Sequence, residues 1–213
     1  MTAQGFAHFA LYDLQLIALG ILVLLYAIKI RQLIRLPMPA EGTAADRATT
    51  DGRAVAASYA SILTPTALES TRQHWGRWLA FAGYHLGILV AILATFTIPF
   101  TPALMTKPVR VFCAATILIG LLAGFLKIAW RLTIPELRVI SKPDDFFGLA
   151  VLQLWFLVAI PAILLDHIGW LTVYFVITAL LLVYVPLSKI SHYIYWFFSR
   201  YLIGQKYGRR GVF

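Results

Sequence analysis

The chain has 213 residues, of which 61% are hydrophobic and 13% charged, and it carries a net charge of +9. Soluble domains hold about 25% charged residues, so this composition excludes a sizeable soluble domain and indicates a membrane protein. The basic residues are not blocked into one soluble face, so the positive charge reads as a topological signal and not as a nucleic-acid surface.

Five apolar runs approach the ~20 residues that cross a bilayer as helix. They lie at 9–30, 78–100, 109–130, 146–165 and 169–190. No alternating pattern supports a β-barrel. The expected fold is therefore an all-α bundle of five transmembrane helices. The N-terminus lacks a basic region and an obvious cleavage site, so the first run reads as a retained span. The single cysteine, Cys113, lies in an apolar run and excludes an iron–sulfur cluster built from this chain's own thiols.

Orientation follows from Lys and Arg. With the N-terminus outside and the C-terminus inside, only Lys107 and Arg110 of the 18 Lys and Arg fall on the outer side. That is a strong positive-inside bias. The chain reads as one domain, 1–213. A long cytoplasmic loop occupies 36–76, and a basic and aromatic cytoplasmic tail occupies 191–213. A loop of that length is either disordered alone or held by a partner. The segment beginning Thr64-Pro65 reads as the start of a short helix, with proline in its first turn. Ser141 or Asp144 is the expected cap of the fourth span.

Of five histidines, His8, His74 and His167 read as interfacial polar residues. His85 and His192 differ. His85 lies about 10 Å inside the second span at helical rise. If the fifth helix continues past Ile190, His192 reaches a similar depth. An unpaired imidazole in hydrocarbon is costly. The pair reads either as a haem clamp or as two groups hydrogen-bonded between helices. Gly83 and Gly87 flank His85 and are expected to leave room for a flat macrocycle. Pro186 is expected to kink the fifth helix and re-aim His192.

Two elements carry a family resemblance: Tyr84-His85-Leu86-Gly87-Ile88-Leu89, and Pro186-Leu187-Ser188-Lys189-Ile190-Ser191-His192. With Arg131-Leu132, Leu137-Arg138 and the stretch 141–145, they make the chain resemble the gamma subunit of respiratory nitrate reductase. It also resembles the cytochrome b subunits of heterodisulfide reductase and of sulfate-reducer membrane complexes. The resemblance spans nearly the whole chain.

The resemblance implies a b-type cytochrome of a bacterial or archaeal cytoplasmic membrane. Such a subunit passes electrons between quinone and a cytoplasmic iron–sulfur oxidoreductase subunit, where the substrate chemistry resides. His85 and His192 match the axial ligands of the haem b nearer the cytoplasm. The two-haem members carry a second histidine pair at positions that here hold Thr95 and Tyr174, so a single haem is expected. On a continuous helix Tyr174 would share the His192 face about 27 Å away.

Arg77, Lys189 and Arg200 are candidates for the haem propionates, which need charge-assisted donors. They read equally well as snorkelling anchors. Tyr84, Ser188, Ser191 and Tyr193 are inner candidates for a quinone site, and Lys107 is an outer one. The alternative is a haem-free membrane anchor for a soluble redox partner. A small transporter is disfavoured, because the spans hold no paired acid–base residues at the midplane and no repeat.

Overall fold

A computed structural model describes residues 2–37, 52–64 and 69–208. The described residues form ten α-helices and no strand: α1 (Ala3–Leu11), α2 (Asp13–Arg35), α3 (Gly52–Leu63), α4 (Glu69–Gln73), α5 (Trp75–Phe100), α6 (Lys107–Thr133), α7 (Pro135–Ile140), α8 (Pro143–Leu165), α9 (Ile168–Tyr184) and α10 (His192–Gly208). Five helical stretches are long and apolar enough to cross a membrane: Ala3–Arg35, Trp75–Phe100, Lys107–Thr133, Pro143–Leu165 and Ile168–Leu187. The chain is thus a multi-pass membrane protein, with all five expected spans present.

The chain divides into two compact units. The first comprises Met1–Leu24 and Leu79–Lys189; the second comprises Leu25–Trp78 and Ile190–Phe213. In the first unit, α6 packs on α8, α8 on α9 and α9 on α1. Lipid supplies no hydrophobic force between helices, so close contact depends on small residues and a few hydrogen bonds. Gly87 of α5 and Gly120 of α6 meet backbone to backbone, and a Cβ on Gly87 would lie 2.9 Å from the Gly120 Cα. Phe156, Ile163, Tyr174 and Phe175 are fully buried. The Gln15 amide donates to the carbonyls of Ala10 and Phe175, at 3.1 and 2.6 Å, which ties α2 to α9.

The two ends of this unit are pinned differently. At one end Arg110 donates to the Met105 carbonyl (2.9 Å) and the Ile163 carbonyl (3.1 Å) and pairs with Asp166 (2.9 Å). Asp166 sits at φ 51°, a left-handed conformation that Asp tolerates. At the other end, the α8 cap is neither Ser141 nor Asp144. The Asp145 carboxylate accepts the Lys142 backbone N–H at 2.8 Å. Ser141 instead accepts from Arg131 (2.7 Å) and donates to the Leu137 carbonyl (2.6 Å).

The second unit revises the reading of the long loop and the tail. The segment 36–76 contains α3 and α4, and α10 occupies most of the segment read as a tail. The support for α3 comes from the chain itself, since α3 packs against α10. Ser58 donates to the Arg200 carbonyl at 2.9 Å, and Tyr59 to the Phe197 carbonyl at 2.7 Å. A Cβ on Gly204 would lie 2.6 Å from the Val55 Cα. Gly204→Leu is therefore expected to separate α3 from α10 and to raise limited proteolysis within 52–64, with Ser199→Leu, at an exposed position of the same helix, as a neutral control. Pro65, expected in the first turn of a short helix, lies outside the described residues.

The fifth span also differs from expectation. α9 stops at Tyr184, two 3-10 turns follow (Val185–Leu187 and Lys189–Ser191), and α10 starts at His192. Pro186 has no N–H to donate, and its ring excludes the carbonyl four residues back. Ser188 then takes an extended conformation, φ −110° and ψ 174°. The result is a break and not a kink, so the five-turn ladder linking Tyr174 to His192 does not exist.

Candidate functional site

His85 lies on α5, ten residues after the helix begins at Trp75. Its Nδ1 is 2.8 Å from the Phe81 carbonyl oxygen, one turn earlier. A carbonyl can only accept, so Nδ1 carries the proton and donates. In the neutral ring the remaining lone pair is then on Nε2, the nitrogen that ligates iron when Nδ1–H is held by a backbone carbonyl. The Phe81 ring packs against the imidazole, with centroids 4.2 Å apart. Neighbouring Tyr84 is buried, and its ring stands perpendicular to the imidazole at 6.0 Å.

His192 belongs to the second unit, where it is the first residue of α10 and is exposed. Its ring is perpendicular to that of Tyr193, at 6.5 Å. An imidazole fixed in the Nδ1–H tautomer, as that of His85 is, is the kind of nitrogen donor that suits a haem b iron. No group of three or more His, Cys, Asp and Glu among the described residues could hold a bare metal ion.

The glycines flanking His85 serve a different purpose from the expected one. Gly83 and Gly87 are each two residues from His85, about 200° around the helix, and both face α6. A Cβ on Gly83 would meet the Ile119 Cγ2 at 3.1 Å, and Gly87 abuts Gly120. The room they leave is filled by a neighbouring helix and is not open to a macrocycle.

Thr95 and Tyr174, the positions at which a second histidine pair was looked for, are packed with this chain's own side chains. Tyr174 is fully buried, and its hydroxyl donates to the Ala91 carbonyl at 2.6 Å. The Trp155 ring stacks on it at 6.1 Å, while the Trp155 indole donates to Thr178, which donates to the Tyr174 carbonyl. Thr95 donates to the Ile92 carbonyl and borders a cavity of about 20 Å3, room for no more than a water. Tyr174→Phe is expected to cost about 1 kcal/mol, and Tyr174→Ala about 3–5 kcal/mol through the void it leaves. Denaturant titration of the two variants in detergent measures the difference.

The remaining candidates scatter. Lys189 is exposed and pairs with Asp145 (3.0 Å) and Asp144 (3.5 Å), so its charge is matched by two carboxylates. Its hydrogen bond to the Asp145 carboxylate holds the Lys189 ammonium above the usual lysine range. Arg77 is exposed near the start of α5, and Arg200 donates to Ser61 at 3.5 Å within the second unit. Ser188 donates to the Val185 carbonyl inside its own turn. Ser191 is fully buried and accepts from Lys29 at 3.3 Å, and the Tyr193 hydroxyl pairs with that of Tyr26. Burial pushes the Tyr193 phenol above the usual tyrosine range. Lys107 is exposed at the first residue of α6. His167 caps α9, accepting the Gly169 N–H at 3.2 Å, and His8 lies against Tyr12 at 4.7 Å.

Two polar residues that the sequence reading did not single out lie beside Tyr84. The Lys127 ammonium of α6 sits 4.2 Å from the Tyr84 ring centroid and 5.8 Å from that of Phe81. Gln153 of α8 is buried and donates to the Leu121 carbonyl at 2.7 Å, while its Oε1 has no hydrogen-bond partner. A lysine inside an apolar run and a glutamine inside another were the available signals.

No match to the chain was found among protein-family models, curated proteins or solved structures.

Proposed function

We propose that the protein is the membrane subunit of a quinone-linked oxidoreductase: a b-type cytochrome with one haem ligated by His85 and His192. The observation that carries this reading is the 2.8 Å hydrogen bond from His85 Nδ1–H to the Phe81 carbonyl. It fixes the tautomer that presents Nε2 to iron, on a helix long enough to span the bilayer. The ligand motifs quoted above, which resemble those of nitrate reductase gamma subunits, supply the second imidazole. The reading requires the two units to bring both rings to one iron.

Bound haem supplies reversible one-electron chemistry, and filled axial positions reserve it for electron transfer. The chain's own residues bind and orient it. Phe81 holds the His85 tautomer, and apolar helices exclude water. The dense packing around Tyr174 and the small cavity at Thr95 favour one haem over two. Substrate chemistry then belongs to a cytoplasmic iron–sulfur partner, with quinone as the lipid-soluble partner. A purified sample is expected to show b-type bands in a reduced-minus-oxidised spectrum. Their complete absence from protein made with adequate haem supply would favour the haem-free anchor.

The charge bias supports an N-outside, C-inside orientation in a bacterial or archaeal cytoplasmic membrane. A cysteine placed beyond Gly208 is expected to resist an impermeant maleimide in intact cells, and one placed at Thr2 to react; the reverse pattern would contradict this topology.

A further inference from the structure

Lysine near the end of a membrane helix ordinarily extends its ammonium to the aqueous interface. Lys127 lies six residues before the end of α6, yet its ammonium turns inward onto the face of Tyr84, which is only 4% exposed. Among the described residues it makes no ion pair. An ionisable group at this depth needs a partner, and aromatic faces alone supply only weak hydrogen-bond acceptors.

Two further groups at the same place lack partners. The Tyr84 hydroxyl and Gln153 Oε1 are both buried without a hydrogen bond, and each residue is 4% exposed. Gln153 Oε1 and the edge of the Tyr84 ring both lie against Gly124, one turn before Lys127: a Cβ there would lie 2.1 Å from Gln153 Oε1 and 2.8 Å from Tyr84 Cε2. The ammonium offers three N–H donors and the phenol one O–H, against a single free amide oxygen. The cluster is positively charged and short of acceptors. A carboxylate supplies both the charge and the lone pairs.

We propose that Lys127 and the Tyr84 hydroxyl form a recognition site for a membrane-embedded carboxylate. Two lipid-soluble molecules carry one: a haem, through its propionates, and a fatty acid. The propionate source rests on the cytochrome reading above, and the fatty-acid source does not. Phe81 links the site to the proposed ligand, because its ring lies under both the Lys127 ammonium and the His85 imidazole. Neither Lys189, matched by two carboxylates, nor Arg200, in the other unit, offers the same combination of burial and unmet charge.

The test uses haem-depleted full-length protein in detergent, titrated with ferric protoporphyrin IX, with its dimethyl ester and with spin-labelled stearate. The wild type is expected to prefer the free-acid porphyrin by about tenfold or more, the ratio of one charge-assisted contact. Lys127→Met is expected to bind both porphyrins alike, Lys127→Arg to restore the preference, and Tyr84→Phe to reduce it. The comparison of porphyrins within the wild type does not depend on any variant folding. Stearate immobilised by the wild type and released by Lys127→Met, with no porphyrin preference, upholds the carboxylate site and assigns it to fatty acid. A Lys127→Met protein that keeps both the porphyrin preference and the stearate signal overturns the site. Equal, tight binding of both porphyrins with no stearate signal also overturns it while leaving the cytochrome reading standing. Stearate binding through Lys127 in a protein that takes up neither porphyrin does the reverse.

Discussion

Replacing either His85 or His192 by Ala is expected to abolish the b-type spectrum of the purified protein, whereas His74→Ala and His167→Ala leave it unchanged. The asymmetry follows from what each ring does. His85 is held by its Nδ1–H bond to the Phe81 carbonyl, which leaves the Nε2 lone pair for the proposed iron. His167 uses its Nδ1 to accept the Gly169 N–H at the start of α9. Its loss removes a helix cap, worth about 1 kcal/mol, and touches no iron. Haem retained at wild-type stoichiometry in both His85→Ala and His192→Ala would rule out the assigned ligands.

Gly87→Leu is expected to be the most damaging single change in the first unit. A Cβ at this position already lies 2.9 Å from the Gly120 Cα and 3.4 Å from the Thr116 carbonyl oxygen. Both are backbone atoms, so no side-chain rotation relieves the clash and α5 must move away from α6. Overpacking of this kind costs about 1–3 kcal/mol and more where backbones collide. Gly83→Ala is the instructive contrast. Its Cβ would meet one methyl of Ile119 at 3.1 Å, and that side chain can shift. Thermal melts in detergent should therefore rank Gly87→Leu well below Gly87→Ala, and both below Gly83→Ala. Equal losses for Gly87→Ala and Gly83→Ala would show that the close approach is not what holds α5 to α6.

The five spans were legible in the sequence because hydropathy is a local property that lipid reads directly. Their starts lie a few residues further out, as at Trp75, because the helix begins in polar residues ahead of the apolar stretch, whereas the fifth span ends early, at Leu187 and not Ile190. The pairing of α3 with α10 was not legible. It depends on small residues far apart in the chain, Ser58 and Gly204, meeting in space, and neither segment is apolar enough to announce a partner. Pro186 signalled a distortion, but the full stop before His192 also needed the extended turn at Ser188.

The face of Gly83 and Gly87 was readable from helical period alone, since residues two apart point to opposite sides. Lys127 was visible as a basic residue near a helix end. Its ammonium meets the Tyr84 ring because α5 and α6 approach closely at Gly87 and Gly120, and no local pattern contains that approach. Of the candidate site, the histidines were therefore found by residue type, and the polar cluster beside them only by packing.

The most direct test is electron paramagnetic resonance of the oxidised, full-length protein, produced with adequate haem supply. One low-spin ferric signal of bis-imidazole character, integrating to about one spin per chain, is the expected result for an iron with both axial positions filled by histidine. A high-spin ferric signal, or protein that carries no haem at all, would contradict ligation by His85 and His192.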